Sequence, residues 1–547
     1  MTDIFVGIDV GTGSARAGLF NTDGTMLATA KRDITLWKEG SDVVEQSSDN
    51  IWTAIGDALR EAMSLAAVEP SQVKGIGFDA TCSMVIVSAD GKPLPASPGG
   101  DPQRNVIVWM DHRAVEQARR INEMGHSVLS YVGGRISPEM EVPKLLWLKE
   151  HNRKTYDAAA HFFDLPDYLS WRATGSFARS LCTVVCKWTY LGHERRWDEE
   201  FFRQAGLSDL ADGDFVRIGQ DIVDIATPIG GGLTERAAAD LGLLPGTPVG
   251  ASLIDAHAGG VGTIAARRVG GSPSEISERM ALILGTSSCT MTVTDEPTFV
   301  KGIWGPYSGA MLPGIWLNEG GQSAFGAGID HLVSMHPAVS AARKEAEAAS
   351  MSLLGWLEQQ AILKAGGIED AALLARDIHV VPEFLGNRAP DADPEASATL
   401  SGLRLDASLD NLIDVFVAGL CGLAYGTAGI VDALTAEDVP IKTMVVSGGA
   451  AKSPLLRRLL ADATGLTVAI PSSPEPVLLG AAVIAASASR QMPLIETASS
   501  MSAIASEVQP QTNRIAEFHH LKRQIYGELK RVDRNARDLM ERFRPKQ

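Results

Sequence analysis

Ile8-Asp9-Val10-Gly11-Thr12-Gly13-Ser14 closes an apolar run that begins at Ile4, and Leu282-Ile283-Leu284-Gly285-Thr286-Ser287-Ser288 closes another about half the chain later. In both, a strand-like segment runs into a glycine turn edged with hydroxyls. Glycine lets backbone N–H groups approach a phosphate closely, and Thr and Ser hydroxyls add donors. One such turn carries little information. Two of them, each inside a strand–turn–strand unit, predict two similar halves that grip one polyphosphate between them.

The chain has 547 residues, enough for two or more domains with full cores. Apolar residues make up 45% and charged residues 21%, as in an ordinary globular protein. The formal net charge of −17 leaves no basic excess to displace counterions, which argues against a nucleic-acid partner. An acidic chain still accommodates a nucleotide, because magnesium and local backbone donors meet the phosphates. No apolar stretch reads as a membrane span, and the first strand starts at Ile4 without room for a leader, so a cytoplasmic location is expected. Cys82, Cys182, Cys186, Cys289 and Cys421 form an odd, scattered set that reads as reduced thiols. Cys182 and Cys186 fall one helical turn apart, but no His or further Cys completes a zinc set in the sequence.

Around the two turns, the patterning predicts strands at 4–8, 15–20, 26–34, 73–78 and 84–87, and a helix over 51–67. The Gly- and Pro-rich stretch 230–249 suggests a division near residue 250. Beyond it, strands at 280–284 and 288–293 repeat the N-terminal unit. An Ala-rich helix is predicted over 338–365, a long apolar helix over 412–434, a strand at 444–446, and helices at 454–463 and 478–486. The domains expected are therefore 1–250, 251–490 and a helical tail over 491–547. In the tail, Phe518, Leu521, Ile525, Leu529, Val532, Ala536, Leu539 and Phe543 recur at spacings of three and four. That stripe suits docking on the chain's own domain or a homodimer contact.

Several residues could carry chemistry. A carboxylate at Asp9, beside the first turn, can hold magnesium against phosphates, directly or through water. Alternatively, it is a turn aspartate bonded to its own backbone. Ser447-Gly448-Gly449-Ala450 follows a strand and precedes a helix beginning near Ser453, a geometry that lets a base and ribose lie on glycine backbone. Asp255 follows an apolar run and precedes small residues, which suits either a partly dry general base or a helix N-cap. His257, two residues on, is assigned no role. Trp109-Met110-Asp111-His112-Arg113 places an aromatic ring beside polar groups, as a polyol site needs, though a capped strand end fits equally.

In this order, the motifs resemble the FGGY carbohydrate kinases of the sugar kinase, actin and Hsp70 superfamily, over essentially residues 4–487. The segment 9–14, with Gly11, Thr12, Gly13, Ser14 and Arg16 on the next strand, matches the first phosphate motif. Gly285, Thr286 and Ser287 match the second, and Gly448, Gly449, Ala450 and Ser453 the adenosine motif. Asp255 falls on the family's catalytic aspartate. Phe78-Asp79-Ala80-Thr81-Cys82-Ser83-Met84, 109–114 and Cys186-Lys187-Trp188-Thr189-Tyr190 resemble the pentulose-kinase branch, and within it D-ribulokinases. That similarity implies pentulose contacts by Thr81, Cys82, Trp109, Asp111, Lys187 and Glu319. The front half of the family's first signature fails at Glu139 and Glu141, and the second signature, over 402–425, is about three residues too long.

The resemblance implies an α/β chain of two ribonuclease-H-like domains, each with a mixed five-stranded sheet, around a central cleft. It implies ATP and magnesium, a small-molecule acceptor, and no membrane or nucleic acid. The N-terminal half would hold most acceptor contacts and the C-terminal half most of the nucleotide. The expected reaction is phosphorylation of D-ribulose at its C5 hydroxyl, with Asp255 as base and Asp9 positioning magnesium. L-ribulose, xylulose, ribitol or erythritol are alternative acceptors, and a non-catalytic nucleotide-gated binding protein is the alternative on the same fold.

Overall fold

The first apolar run becomes strand β1 (Ile4–Val10), which is buried at every position because both of its faces are covered. The computed structural model describes residues 3–268 and 276–543. In it, β1 is the middle of a five-stranded sheet. β2 (Ser14–Phe20) and β3 (Met26–Asp33) follow as an antiparallel meander, and β4 (Val73–Ala80) pairs parallel to β1 on its other side. β5 (Leu253–Ile254) adds parallel to β4, giving the order β5-β4-β1-β2-β3. The edge strand β5 lies past the division expected at residue 250, so the first sheet draws on residues beyond it. Helix α1 (Leu181–Lys187), capped by the Ser180 hydroxyl, packs against β5, which runs directly into helix α2 (Asp255–Ile264).

The second sheet repeats this order. β6 (Arg267–Arg268) is an edge strand. β7 (Arg279–Leu284) pairs antiparallel with β8 (Ser288–Thr294). β9 (Trp304–Ser308) and β10 (Trp316–Gln322) continue the antiparallel side. Beyond helix α3 (Leu409–Thr435), β11 (Thr443–Ser447) pairs parallel to β7, and β12 (Thr467–Pro471) parallel to β11. The strands β12-β11-β7-β8-β10 therefore reproduce the connectivity of the first sheet. The sheet is nonetheless eight-stranded rather than five, because β9 extends one side while β13 (Ala503–Val508) and β6 extend the other. β13 comes from the tail expected to be helical.

Other expectations are corrected locally. The segment 338–365 is two helices, Val339–Ala348 and Leu353–Ala365, separated where Ser350 turns to a φ of 54°. Helix α3 is long and apolar enough to cross a membrane, with a mean hydropathy of 1.6, contrary to the expectation that no stretch is. However, 89% of that window is buried within the fold, where it forms the centre of the C-terminal core.

Helix α4 (Pro476–Arg490) joins the halves. It belongs to the C-terminal part of the chain, yet it lies on β1 and β4 of the first sheet and against α2. The approach is backbone to backbone. A Cβ at Gly7 would sit 2.1 Å from the Leu478 carbonyl oxygen, one at Gly77 2.1 Å from that of Ala481, and one at Gly480 1.9 Å from that of Ala258. These contacts need glycine because any side chain would push the helix off the sheet.

Helix α5 (Arg514–Met540) docks on the C-terminal half, but not by the expected stripe. Leu521, Val532, Leu539 and Phe543 are exposed. Ile515, His519 and Lys522 are buried instead, with Phe518 and Tyr526 partly buried. The docked face is polar because its partners are. Lys522 donates to the Ala375 and Ile378 carbonyls at 2.6 Å each, and His519 Nδ1 pairs with the Tyr425 hydroxyl at 2.9 Å.

Gly480→Ala is expected to cost about 1–3 kcal/mol through overpacking of the α2–α4 seam. Gly449→Ala, where an added Cβ meets nothing within 4 Å, is expected to be near neutral. Urea denaturation midpoints of the two variants separate them.

Candidate active site

Three adjacent strands end in carboxylates. Asp9 is on β1, its parallel register partner Asp79 is on β4, and Asp255 immediately follows β5. Asp9 is buried and ion-paired with Arg16, whose other terminal nitrogen reaches Glu475 at 2.9 Å, just ahead of α4. Asp79 is fully buried, and among the described residues neither carboxylate oxygen has a hydrogen-bond partner. Burial, and then the charges of Asp9 and Asp255, push its pKa well above the usual carboxylate range. Burial, followed by the charge of Asp9, raises Asp255 to about 6. The Ala256 N–H donates to Asp255 at 2.7 Å, and Asp255 opens helix α2 instead of capping it.

Asp255 faces a cavity of about 150 Å³ where both glycine turns meet: Thr12 comes from the first and Ser287 from the second. Thr81, Cys82, Trp109, Lys187 and Glu319 line the same cavity. The Trp109 indole donates to the Thr12 hydroxyl at 3.0 Å, tying the aromatic wall to the turn. Hydroxyl, carboxylate and ammonium groups beside indole rings suit a small polyhydroxylated ligand.

Behind this cavity lies a chain of charges that the sequence did not disclose. His257 Nδ1 stands 3.0 Å from Cys182 Sγ, and His257 Nε2 3.3 Å from a Glu319 oxygen. Burial alone would lower the pKa of His257, but Cys182 and Glu319 outweigh it and hold the imidazole near 10. Burial would raise Glu319, but the His257 hydrogen bond and the Lys187 charge hold it at about 2. Glu319 is therefore held as an ionised hydrogen-bond acceptor on the cavity wall.

A larger cavity of about 740 Å³ is built entirely from residues after 283. Gly285 and Thr286 border it at one end, and Gly449, Ala450 and Ser453 along one side. Phe416, Leu420 and Leu423 of α3 supply apolar wall. Such a slot suits a base and ribose with phosphates directed to the glycine turn. Each turn is closed by its own first glycine: Gly285 N–H donates to the Ser287 carbonyl at 2.9 Å, two residues on, and Gly11 N–H to that of Ser14 at 3.0 Å, three residues on. A Cβ at Gly11, Gly13 or Gly285 would meet nothing closer than 3.6 Å. Unlike the seam glycines, these keep space open for something other than the protein.

The structure redistributes several expected roles. Asp111 does not line either cavity. It is buried and saturated, accepting from Val44 N–H at 2.7 Å and from Arg113 Nε and Nη2 at 2.8 and 2.7 Å, and so anchors the fold. Gly11, Gly13, Ser14, Arg16 and Gly448 also line neither cavity, although Gly448 holds its turn with a φ of 90°. Thr12 and Ser287, expected at the nucleotide, face the smaller cavity. That cavity draws on both halves of the chain instead of mainly the first. Glu139, Trp304 and Arg388 also line it. Glu139 was visible only as a departure from a signature, while Trp304 and Arg388 lie in segments without a local pattern.

Comparison with known proteins gives one answer for both halves. The N-terminal domain of the FGGY family of carbohydrate kinases matches residues 4–262, and its C-terminal domain matches residues 280–489. The chain is 44% identical to the human FGGY carbohydrate kinase domain-containing protein, over 96% of each. It is 35% identical to a D-ribulokinase of Saccharomyces cerevisiae, over 89% of this chain and 72% of that protein. Among solved structures, a xylulose kinase from Rhodospirillum rubrum shares the fold with a TM-score of 0.76 at 18% identity, over 99% of each chain.

Because Gly449 opens onto the larger cavity with free space at its Cβ, Gly449→Leu fills the cavity without straining the turn. The variant is expected to raise KM for ATP about tenfold or more while leaving KM for the acceptor unchanged, as measured by steady-state kinetics with each substrate varied.

Proposed function

This chain belongs to the FGGY family of carbohydrate kinases, and on that footing we propose that it transfers the γ-phosphoryl group of ATP to the C5 hydroxyl of a pentulose, D-ribulose in particular. The observation that carries this reading is the second glycine turn. Gly285 and Thr286 border the larger cavity, whereas Ser287 borders the smaller one beside Asp255. A nucleotide in the first and a sugar in the second would meet at this turn. The choice of D-ribulose is supported by the Thr81-Cys82-Ser83 stretch at the smaller cavity and by the name of the yeast relative.

In this reading, Lys187 and Glu319 orient the sugar by donating to and accepting from its hydroxyls. Burial would lower the pKa of Lys187, but surrounding acidic groups, Glu319 among them, raise it and keep the ammonium charged. Asp255 accepts the proton of the attacking hydroxyl. As the new O–P bond forms, the bond from the γ-phosphorus to the ADP oxygen breaks, and backbone N–H groups of the turns stabilise the transferring group. Asp255 suits the task because its raised pKa makes it a stronger base than a solvated carboxylate while it remains ionised at neutral pH.

The residues at the strand ends also fit magnesium. Asp9 and Asp79 present hard carboxylate oxygens, and those of Asp79 are unpartnered and buried beside other acids, an arrangement that a divalent cation relieves. Among the described residues, no three His, Cys, Asp or Glu side chains group closely enough to hold an ion alone. This suits a magnesium ion that arrives with the nucleotide and keeps several waters. When bound, it would neutralise phosphate charge.

ADP release across a panel of pentuloses and pentitols tests the assignment. D-ribulose is expected to give the highest kcat/KM, and no turnover with any member would overturn the kinase reading. Asp255→Asn is expected to lower kcat by about 10²–10⁴-fold. The base form of Asp255 exists above its pKa, so wild-type kcat/KM should fall about tenfold per pH unit below about 6. An acid limb near pH 4 would instead indicate a solvated carboxylate.

A further inference from the structure

Arg388 lines the smaller cavity but belongs to none of the motifs that marked the site. Its guanidinium carbon lies 5.4 Å from the centroid of the Trp304 ring, and Lys187 Nζ lies 5.4 Å from the same centroid. Among the described residues, Arg388 makes no hydrogen bond or ion pair. The acidic groups that bear on it most, Glu139 and Glu319, stand on the wall of the same cavity. A guanidinium stacked on an aromatic ring holds its plane and presents up to five donors. Here those donors are unused at the edge of a site lined for hydroxyl groups.

The loop that carries Arg388 is tightly tied. The Asn387 amide donates to Glu383 at 2.6 Å, and the Asp391 N–H donates to the Asn387 side-chain oxygen at 2.9 Å. Gly386 has a φ of 73°, and a Cβ there would sit 2.7 Å from the Pro394 carbonyl oxygen. This folding concentrates the carboxylates of Glu383, Asp391 and Asp393 in a few residues. Their counter-charges come from helix α5. Lys530 pairs with Asp391 and lies 3.7 Å from Glu383, while Arg537 pairs with Asp393 at 2.5 Å. Asp533 of the same helix accepts from the Ser397 hydroxyl. Without these cations the acidic loop would repel itself, and the tether that helps hold Arg388 against Trp304 would loosen.

We propose that helix α5, which lies beyond the family-matched residues 280–489, is a positioning element for the sugar cavity, and that it acts through the loop whose Arg388 donates hydrogen bonds to an oxygen of the acceptor. The proposal rests on the reading of the smaller cavity as the acceptor site. It gives the C-terminal extension a role in substrate binding and accounts for the ion pairs that line the docked face of α5 beside the apolar contacts of Ile515, Phe518 and Tyr526.

Steady-state kinetics on full-length variants test both parts. Arg388→Ala is expected to raise KM for the acceptor about 10- to 100-fold while KM for ATP stays within about twofold. Arg537→Glu, which sets a third acid against Asp393 and Asp533, is expected to raise acceptor KM about five- to tenfold. Adding Asp393→Arg in that background re-forms the pair reversed and should restore most of the loss. Unchanged acceptor KM in Arg388→Ala overturns the contact. If Arg537→Glu shifts ATP and acceptor KM together, or if the reversed pair fails to rescue, the positioning role is overturned. Absence of wild-type turnover with any pentulose or pentitol overturns the proposed function and this inference with it. Turnover with unaffected variants overturns only the inference.

Discussion

The close approach of helix α4 to the first sheet is the constraint on which the rest depends. Gly7 and Gly77 on the sheet and Gly480 on the helix leave no room for a Cβ. As a result, a helix from the second half of the chain is seated on the sheet of the first. Glu475, just ahead of that helix, reaches Arg16, and Arg16 holds Asp9. The seam that joins the halves is thus wired to Asp9, beside the first glycine turn, by two ion pairs. A shift of α4 would move the packing of α2 as well, and with it Asp255.

Charge organisation follows from that packing. Parallel strands ending in register bring Asp9, Asp79 and Asp255 to one edge, where burial and mutual repulsion push Asp79 and Asp255 upward. On the other side of the smaller cavity, His257 and Lys187 hold Glu319 ionised. One carboxylate raised to about 6 and another held at about 2 is a difference set by environment, since the side chains differ by one methylene. The Cys182–His257–Glu319 chain matters for the same reason. It buries an imidazolium between two acidic groups, away from solvent.

Much of this was legible from the sequence. Apolar runs ending in glycine turns located β1 and β7, and the order of motifs singled out Asp255, which the structure places on the wall of the smaller cavity, because glycine turns restrict residue choice locally. Other features resisted reading. Asp111 looked like a ligand because an acid beside Trp109 suits a polyol, but Arg113, two residues later, folds back and saturates it. The tail was misread because periodicity reports only which residues share a helix face. Leu521, Val532 and Leu539 do share one, but the loop beneath α5 is acidic, so the basic face docks.

The sequence by itself determined the two glycine turns, the strands that carry them, the repeated strand–turn–strand unit and the carboxylates beside the turns. Each depends on neighbours within a few residues, where propensity and sterics are decided. Only the tertiary structure decided that β5 completes the first sheet, that Asp79 is buried in register beside Asp9, that His257 stands between Cys182 and Glu319, and that Arg388 lines the smaller cavity from a loop ion-paired to the last helix. Those features join residues tens to hundreds of positions apart, and their chemistry comes from burial and from which charges face each other. Local sequence does not encode either quantity.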